Sequence, residues 1–166
     1  MGELPIEVLA DSDASVESVV AGMMRNSWVH LACHGTQQTG DPTQSALILH
    51  GGHLQLARII QLRLIHARFA FLSACQTASG DPELEEEAVH LAAGMLLAGY
   101  RGVVATSWSI QDEDAPVIAD EVYAEILRDA NPDPSKAARA LQKAVHNRRR
   151  RGASPLSWAP FIHFGI

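Results

Sequence analysis

The chain of 166 residues is long enough to bury one core and leaves little room for a second domain. A hydrophobic content of 47% is typical of a globular protein. The net charge of −6 argues against general binding to nucleic acid or anionic membranes. The chain has only two cysteines and no CxxC pair, which argues against a disulfide framework. It shows no secretory signal, which argues against export, and no apolar run of the ~20 residues that a transmembrane helix needs. We therefore expect a cytoplasmic protein.

In the first half of the chain, short apolar runs predict strands separated by a helix and a hairpin. Residues 4–10 predict a strand, and residues 11–24 follow with Ser and Asp capping candidates and helical apolar spacing. The run "WVHLAC" (residues 28–33) and residues 67–74 predict two further strands, because both are almost continuously apolar, as buried parallel strands are. Between them, Gly51 and Gly52 predict the turn of a hairpin, and "LARIIQL" predicts one or two helical turns.

The second half predicts three helices and two strands. Residues 82–100 predict a helix whose acidic first turn suits the positive end of the helix dipole and which stops near Gly99. The other predicted elements are a buried strand over 102–108, amphipathic helices over 112–130 and 133–150, and a last edge strand over 158–166. Strands that alternate with helices favour an α/β fold with a mostly parallel sheet.

Four candidate site residues lie where predicted strands end. His34 follows one strand and Cys75 lies at the end of the next. Asp112 and Asp114 come shortly after a third. Ligands of open α/β sheets bind beyond the carboxyl ends of the strands. We therefore expect all four residues on one rim of the sheet.

The motifs around these residues resemble a known family. "HLACHG", an inserted hairpin, "LSACQTASG", "AAGMLLAGYRGVVATSWSIQDED" and the terminal "WAPFIHFG" occur in this order. Together they resemble the CHAT domain, a branch of the caspase-like cysteine peptidases that includes separase. The resemblance covers about residues 6–165, nearly the whole chain.

The resemblance implies a caspase-like α/β three-layer sandwich: a mostly parallel central sheet, helices on both faces and an inserted β-hairpin. It also implies His34 as the catalytic histidine and Cys75 as the nucleophile. Family members usually carry one more strand-helix unit upstream, often after tetratricopeptide or other repeat modules. We therefore expect residues 1–166 to be a single CHAT domain from the C-terminal part of a larger protein, without that first unit.

The chemistry of a cysteine nucleophile explains why a histidine is needed. A thiol with a pKa of about 8.5 is mostly protonated at pH 7, so Cys75 needs an imidazole such as that of His34 to take its proton. The backbone N–H groups of Gly35 and Cys75 are candidates to stabilise the substrate oxygen, with Gly35 allowing close approach. Alternatively, His34 and Cys75 merely end buried strands, which composition alone favours.

Other groupings of the same residue types are weaker. Cys33 is the rival thiol, but it belongs to an apolar strand, where a free cysteine usually packs as a small core residue. A zinc or redox site would combine Cys33, His34 and Cys75 with His30, His50 or His53, yet the usual ligand spacings are missing. His50 and His53 flank the predicted turn and are interpreted as solvated.

The acidic residues after the third strand have two interpretations. Asp112 and Asp114 could simply cap the helix that begins near Ala115. In separase-like members, acidic residues after the corresponding strand line the pocket for a basic side chain before the cut, so the resemblance implies this role for Asp112 first and Asp114 second. The acidic run 83–87 and the basic run 148–151 are interpreted as solvated helix ends.

The sequence thus predicts a cysteine endopeptidase that cleaves a protein substrate, after a basic residue, in regulated proteolysis. This chemistry needs no metal or cofactor, and we expect neither nucleic acid nor a membrane among its partners. The alternative is a catalytically idle interaction module in a multidomain signalling protein, in which repeat modules lie upstream.

Overall fold

Helices and strands alternate along most of the chain, as the sequence predicts. The computed structural model describes residues 5–36, 41–73, 75–76, 87–108, 110–111, 113–129 and 132–166. Its helices are α1 (Val16–Arg25), α2 (Leu56–Gln61), α3 (Glu87–Ala98), α4 (Asp114–Ile126) and α5 (Ala137–Arg150). Its strands are β1 (Trp28–Leu31), β2 (His34–Thr36), β3 (Ala46–Leu49), β4 (Gly52–Gln55), β5 (Phe69–Leu72), β6 (Cys75–Gln76), β7 (Gly102–Thr106) and β8 (Phe161–Gly165). Over these described ranges, none of the helices is long and apolar enough to cross a membrane.

Four strands form a central sheet in the order β1-β5-β7-β8. The first three strands of this order run parallel to one another, and β8 lies antiparallel to β7 at the edge, as predicted for the last strand. Parallel neighbours need long crossover connections, and the segments containing α2 and α3 provide them. The prediction of an α/β fold with a mostly parallel sheet is confirmed.

The strand β5 is buried on both faces. Ala70 and Leu72 belong to a core formed with α1, α2 and α3. Phe69 and Phe71 belong to a separate core formed with α4 and α5. Because successive side chains of a strand point to opposite faces, a continuously apolar strand can serve two layers at once. The central sheet therefore carries helices on both faces.

A second sheet has the order β4-β3-β2-β6. Its strands β3 and β4 form the predicted hairpin, with Gly51 at a φ of +70° in the turn. A positive φ is readily adopted by glycine, which has no Cβ. The strand β2 pairs antiparallel with β3 and parallel with β6, so it joins the hairpin to the segment that follows β5.

The strand predicted over residues 28–33 is shorter than expected. β1 ends at Leu31, and a new strand begins at His34. His34 is therefore the first residue of β2, whereas the sequence predicted it directly after a strand. The apolar pattern could not reveal this break, because Ala32 and Cys33 are both compatible with a continuing strand.

The strand predicted over residues 4–10 is wrong for its described part, because residues 5–10 form no strand. Here the Glu7 carboxylate accepts hydrogen bonds from the side chains of Arg25 and Asn26, at the end of α1. Leu9 packs against the core that contains α1. The short apolar alternation predicted a strand, but the segment is anchored by side chains to a helix instead of by backbone to a sheet.

Two predicted helix ends show clear local causes. At the start of α1, Ser15 Oγ accepts a hydrogen bond from the Ser18 N–H at 3.2 Å, which satisfies one of the free donors of the first turn. The helix α3 stops at Gly99, as predicted, where φ is +125°. A Cβ at this position would lie 2.4 Å from the Leu64 carbonyl oxygen. Residues 82–86, the predicted start of that helix, lie outside the described residues.

We expect Gly99→Ala to lower the free energy of unfolding by about 3 kcal/mol or more, because the methyl group meets backbone and the φ is unfavourable. Gly152→Ala is the matched control. Gly152 has a φ of +77° and open space around it, so its substitution should cost only about 1–2 kcal/mol. Urea unfolding curves measure both values. Equal losses would show that the contact with Leu64 is not what requires glycine.

Candidate active site

His34 and Cys75 lie side by side in the second sheet. Their strands run parallel, and the register pairs His34 with Cys75 and Gly35 with Gln76. Neighbouring strands are about 4.8 Å apart, so the two backbones are adjacent. The side chains of Cys75 and Gln76 lie outside the described part of the chain.

One parallel alignment runs through both sheets. In the central sheet Trp28 pairs with Phe69, and in the second sheet His34 pairs with Cys75, an offset of 41 residues in both cases. No residue is gained or lost between the two pairs of strands. The position of His34 beside Cys75 therefore follows from the register already set between β1 and β5.

The surroundings of His34 and Gly35 differ. The His34 side chain is exposed to solvent, and Gly35 is buried. A Cβ at Gly35 would lie 3.7 Å from the Ala46 carbonyl oxygen and 3.8 Å from Leu91 Cδ1, which are ordinary contacts. The described atoms would thus accommodate alanine at position 35, and they do not explain why glycine occurs there.

The rival thiol, Cys33, packs against the core formed by α1, α2 and α3. Burial raises its pKa to about 11. At neutral pH such a thiol is almost entirely protonated, and the thiolate is the reactive form. Cys33 is therefore a poor nucleophile.

Of the two acidic candidates, Asp112 lies outside the described residues. Asp114 is the first residue of α4, and its carboxylate accepts a hydrogen bond from Arg148 Nη2 of α5 at 2.9 Å. Both side chains are largely buried, with 15% of Asp114 and 21% of Arg148 exposed. Asp114 already has a charged partner inside the protein. From the sequence, Arg148 is interpreted only as part of a basic helix end, because nothing in the local pattern links it to a residue 34 positions earlier.

The sequence of the chain matches a known protein family. A sequence model of the CHAT domain matches residues 2–166. The chain belongs to the CHAT domain family. This family is related to the caspase-like cysteine peptidases. Among curated proteins, no sequence matched the chain.

Three further histidines of this CHAT domain, His30, His50 and His53, occupy exposed positions. His50 and His53 are exposed beside the hairpin turn, as predicted. His30 lies on β1, with Nε2 3.0 Å from Ser73 Oγ, a contact that the sequence did not suggest. Burial lowers the pKa of His30 and of His163. Among the described side chains, no group of three or more His, Cys, Asp or Glu could hold a metal ion.

We expect Arg148→Met to lower the free energy of unfolding of this CHAT domain by about 1–3 kcal/mol, because the Asp114 carboxylate loses its partner at a largely buried position. Arg149→Met removes the same charge from an exposed neighbouring position, and should change stability by less than about 0.5 kcal/mol. Denaturant unfolding of both variants measures the difference. Equal effects would show that the pair with Asp114 adds nothing to stability.

Proposed function

We propose that this CHAT domain is a cysteine endopeptidase that cleaves a protein substrate, with Cys75 as nucleophile and His34 as general base and acid. The main support is the parallel register that pairs the backbones of these two residues, in a family related to caspase-like cysteine peptidases. The caspase-like form of the α/β fold is part of the same proposal. The mostly parallel sheet with helices on both faces supports it.

The proposed reaction begins when the His34 imidazole accepts the proton of the Cys75 thiol. The sulfur then bonds to the substrate carbonyl carbon, and an electron pair moves to the carbonyl oxygen, where the N–H groups of Gly35 and Cys75 stabilise it. When the intermediate collapses, the C–N bond breaks and His34 protonates the leaving amine. His34 next deprotonates water, which attacks the acyl carbon. The C–S bond then breaks, the carboxylic acid leaves, and His34 returns the proton to the Cys75 sulfur. Thiol and imidazole carry every step, so the reaction needs no metal or cofactor.

Two features of the described residues support this assignment of roles. The exposed side chain of His34 can exchange protons with substrate and water. The second thiol of the chain, Cys33, is disfavoured because burial holds its pKa at about 11. The nucleophile is therefore proposed at position 75 and not at position 33.

For specificity, we propose that Asp112 selects a basic residue before the cut. A carboxylate that faces a substrate guanidinium discriminates strongly, because an uncharged side chain would leave it unpaired. Asp114 is the second candidate, but its carboxylate is bonded to Arg148. To contact substrate it would have to exchange that internal partner for the substrate cation.

The setting proposed for this activity is regulated proteolysis in the cytoplasm, under the control of signalling or repeat modules in the same full-length protein. The cysteine content supports the location, since two cysteines without a CxxC pair need no oxidising compartment. The physiological substrate is proposed to be a protein with an accessible basic segment.

We expect a peptidyl acyloxymethyl ketone with arginine next to the reactive group to label Cys75 about 100-fold faster than Cys33 at pH 7. The reason is that the backbone of Cys75 is paired with that of His34, the proposed base, whereas burial keeps the Cys33 thiol protonated. Mass spectrometry of the digested protein quantifies labelling at each cysteine.

The control for this experiment is His34→Ala. Because the side chain is exposed, the variant should unfold at nearly the same temperature, while labelling of Cys75 falls by about 100-fold. Labelling confined to Cys33 would remove the proposed nucleophile. Undiminished labelling of His34→Ala would remove the proposed base, and a folded protein labelled at neither cysteine would favour the idle interaction module.

We expect cleavage of a peptide library after Arg or Lys, and we expect Asp112→Asn to weaken that preference about 10- to 100-fold, because a charge-assisted contact is lost. Asp120→Asn removes the same charge from an exposed position of α4 and should leave the preference unchanged. Sequencing of the cleaved peptides measures both.

Two results would contradict the pocket assignment. An unchanged preference in Asp112→Asn, with about 0.5–2 kcal/mol of stability lost in Asp112→Ala, would leave Asp112 as a helix cap. A wild-type preference for an acidic or small residue before the cut would exclude an acidic pocket altogether.

A further inference from the structure

The segment that leads to Cys75 is tied to β1 immediately after β5 ends. The N–H of Ser73 donates a hydrogen bond to the Leu31 carbonyl at 2.9 Å. The Ser73 Oγ lies 3.0 Å from His30 Nε2. Ser73 precedes Cys75 by two residues, so these contacts are made just before the strand that carries the proposed nucleophile.

The imidazole of His30 is itself held in place by two aromatic rings. Its centroid lies 4.9 Å from that of Phe71 on β5 and 5.7 Å from that of Tyr123 on α4, with interplanar angles of 40° and 34°. Contacts with two different elements restrict both the position and the rotation of the ring. These contacts favour the orientation in which Nε2 faces Ser73.

The charge state of His30 suits a hydrogen bond to a hydroxyl. Burial by the surrounding rings lowers the pKa of His30, although part of the residue stays open to solvent. A lowered pKa favours the uncharged ring, which carries one donor and one acceptor nitrogen. Either tautomer can pair with Ser73 Oγ, which both donates and accepts.

The contact between His30 and Ser73 connects the two chain segments that carry the proposed catalytic residues. His30 and His34 belong to one chain segment, and Ser73 and Cys75 belong to the segment that runs parallel to it. Between β1 and β2 the strand is interrupted at Ala32 and Cys33. The contact between His30 and Ser73 joins the two segments at this interruption, where fewer strand contacts hold the alignment.

We propose that His30 is a positioning residue that, through Ser73, holds the strand of Cys75 in register with the strand of His34. This role rests on the proposed function, because the alignment matters to catalysis only if these two residues react together. His30 touches no reacting atom in this arrangement. A small displacement between nucleophile and base lowers reaction rates steeply, so the contact acts on rate and not on substrate binding.

The test uses the whole chain and iodoacetamide, whose reaction reports the thiolate at each cysteine. Cys33 serves as the internal reference. His30→Phe keeps an aromatic ring between Phe71 and Tyr123 but removes the nitrogen, and Ser73→Ala removes only the hydroxyl. Ser73→Thr retains the hydroxyl as the conservative rescue, and His53→Phe makes the same ring change at an exposed hairpin position.

We expect His30→Phe and Ser73→Ala each to lower the alkylation rate of Cys75 about 10-fold at pH 7, and to move its pH profile to higher pH. The double variant should lose no more than either single variant, because both remove the same contact. Ser73→Thr and His53→Phe should retain the wild-type rate at Cys75, and Cys33 should react alike in all variants.

Different failures have different meanings. A fast wild-type Cys75 whose rate and pH profile are unchanged in Ser73→Ala overturns the positioning role and leaves the peptidase proposal standing. A parallel change at both cysteines, with a lower unfolding temperature, shows a purely structural contact and also overturns it. A wild-type Cys75 with the pH profile of an ordinary thiol overturns the peptidase proposal, and the positioning role with it.

Discussion

The parallel alignment of residues 28–36 with residues 69–76 is the constraint on which the candidate site depends. It places His34 beside Cys75 only because β1 and β5 are paired with the same offset of 41 residues. In a parallel pair each shift by one residue moves a side chain to the other face. The register of the central sheet and the geometry of the candidate site are therefore one property of the chain.

Burial of β5 is what holds this register. Its four residues are almost fully buried, in two cores made by different helices, and a slip by one position would exchange bulky phenylalanines with smaller side chains on both faces. An ion pair connects the two helices that pack on one face of this sheet, α4 and α5. The contact between Arg148 and Asp114 joins α5 to the start of α4, in the region that follows β7.

Much of the fold could be predicted because its causes are local. Continuous apolar runs predicted β5 and β7, and glycine predicted the hairpin turn and the end of α3. The break after Leu31 and the absence of a strand at the described residues 5–10 could not be predicted in this way. Whether a short apolar segment joins a sheet depends on a partner strand, and a partner is supplied by the tertiary structure.

The candidate site, too, could be predicted only in part from the sequence. The sequence by itself determined the family and named His34 and Cys75, because motifs carry residue types and spacing. Only the tertiary structure decided that their backbones are paired directly, that Arg148 bonds to Asp114, and that His30 meets Ser73. These contacts join residues 34 to 43 positions apart. Their distances depend on how strands and helices pack, and no local pattern encodes that packing.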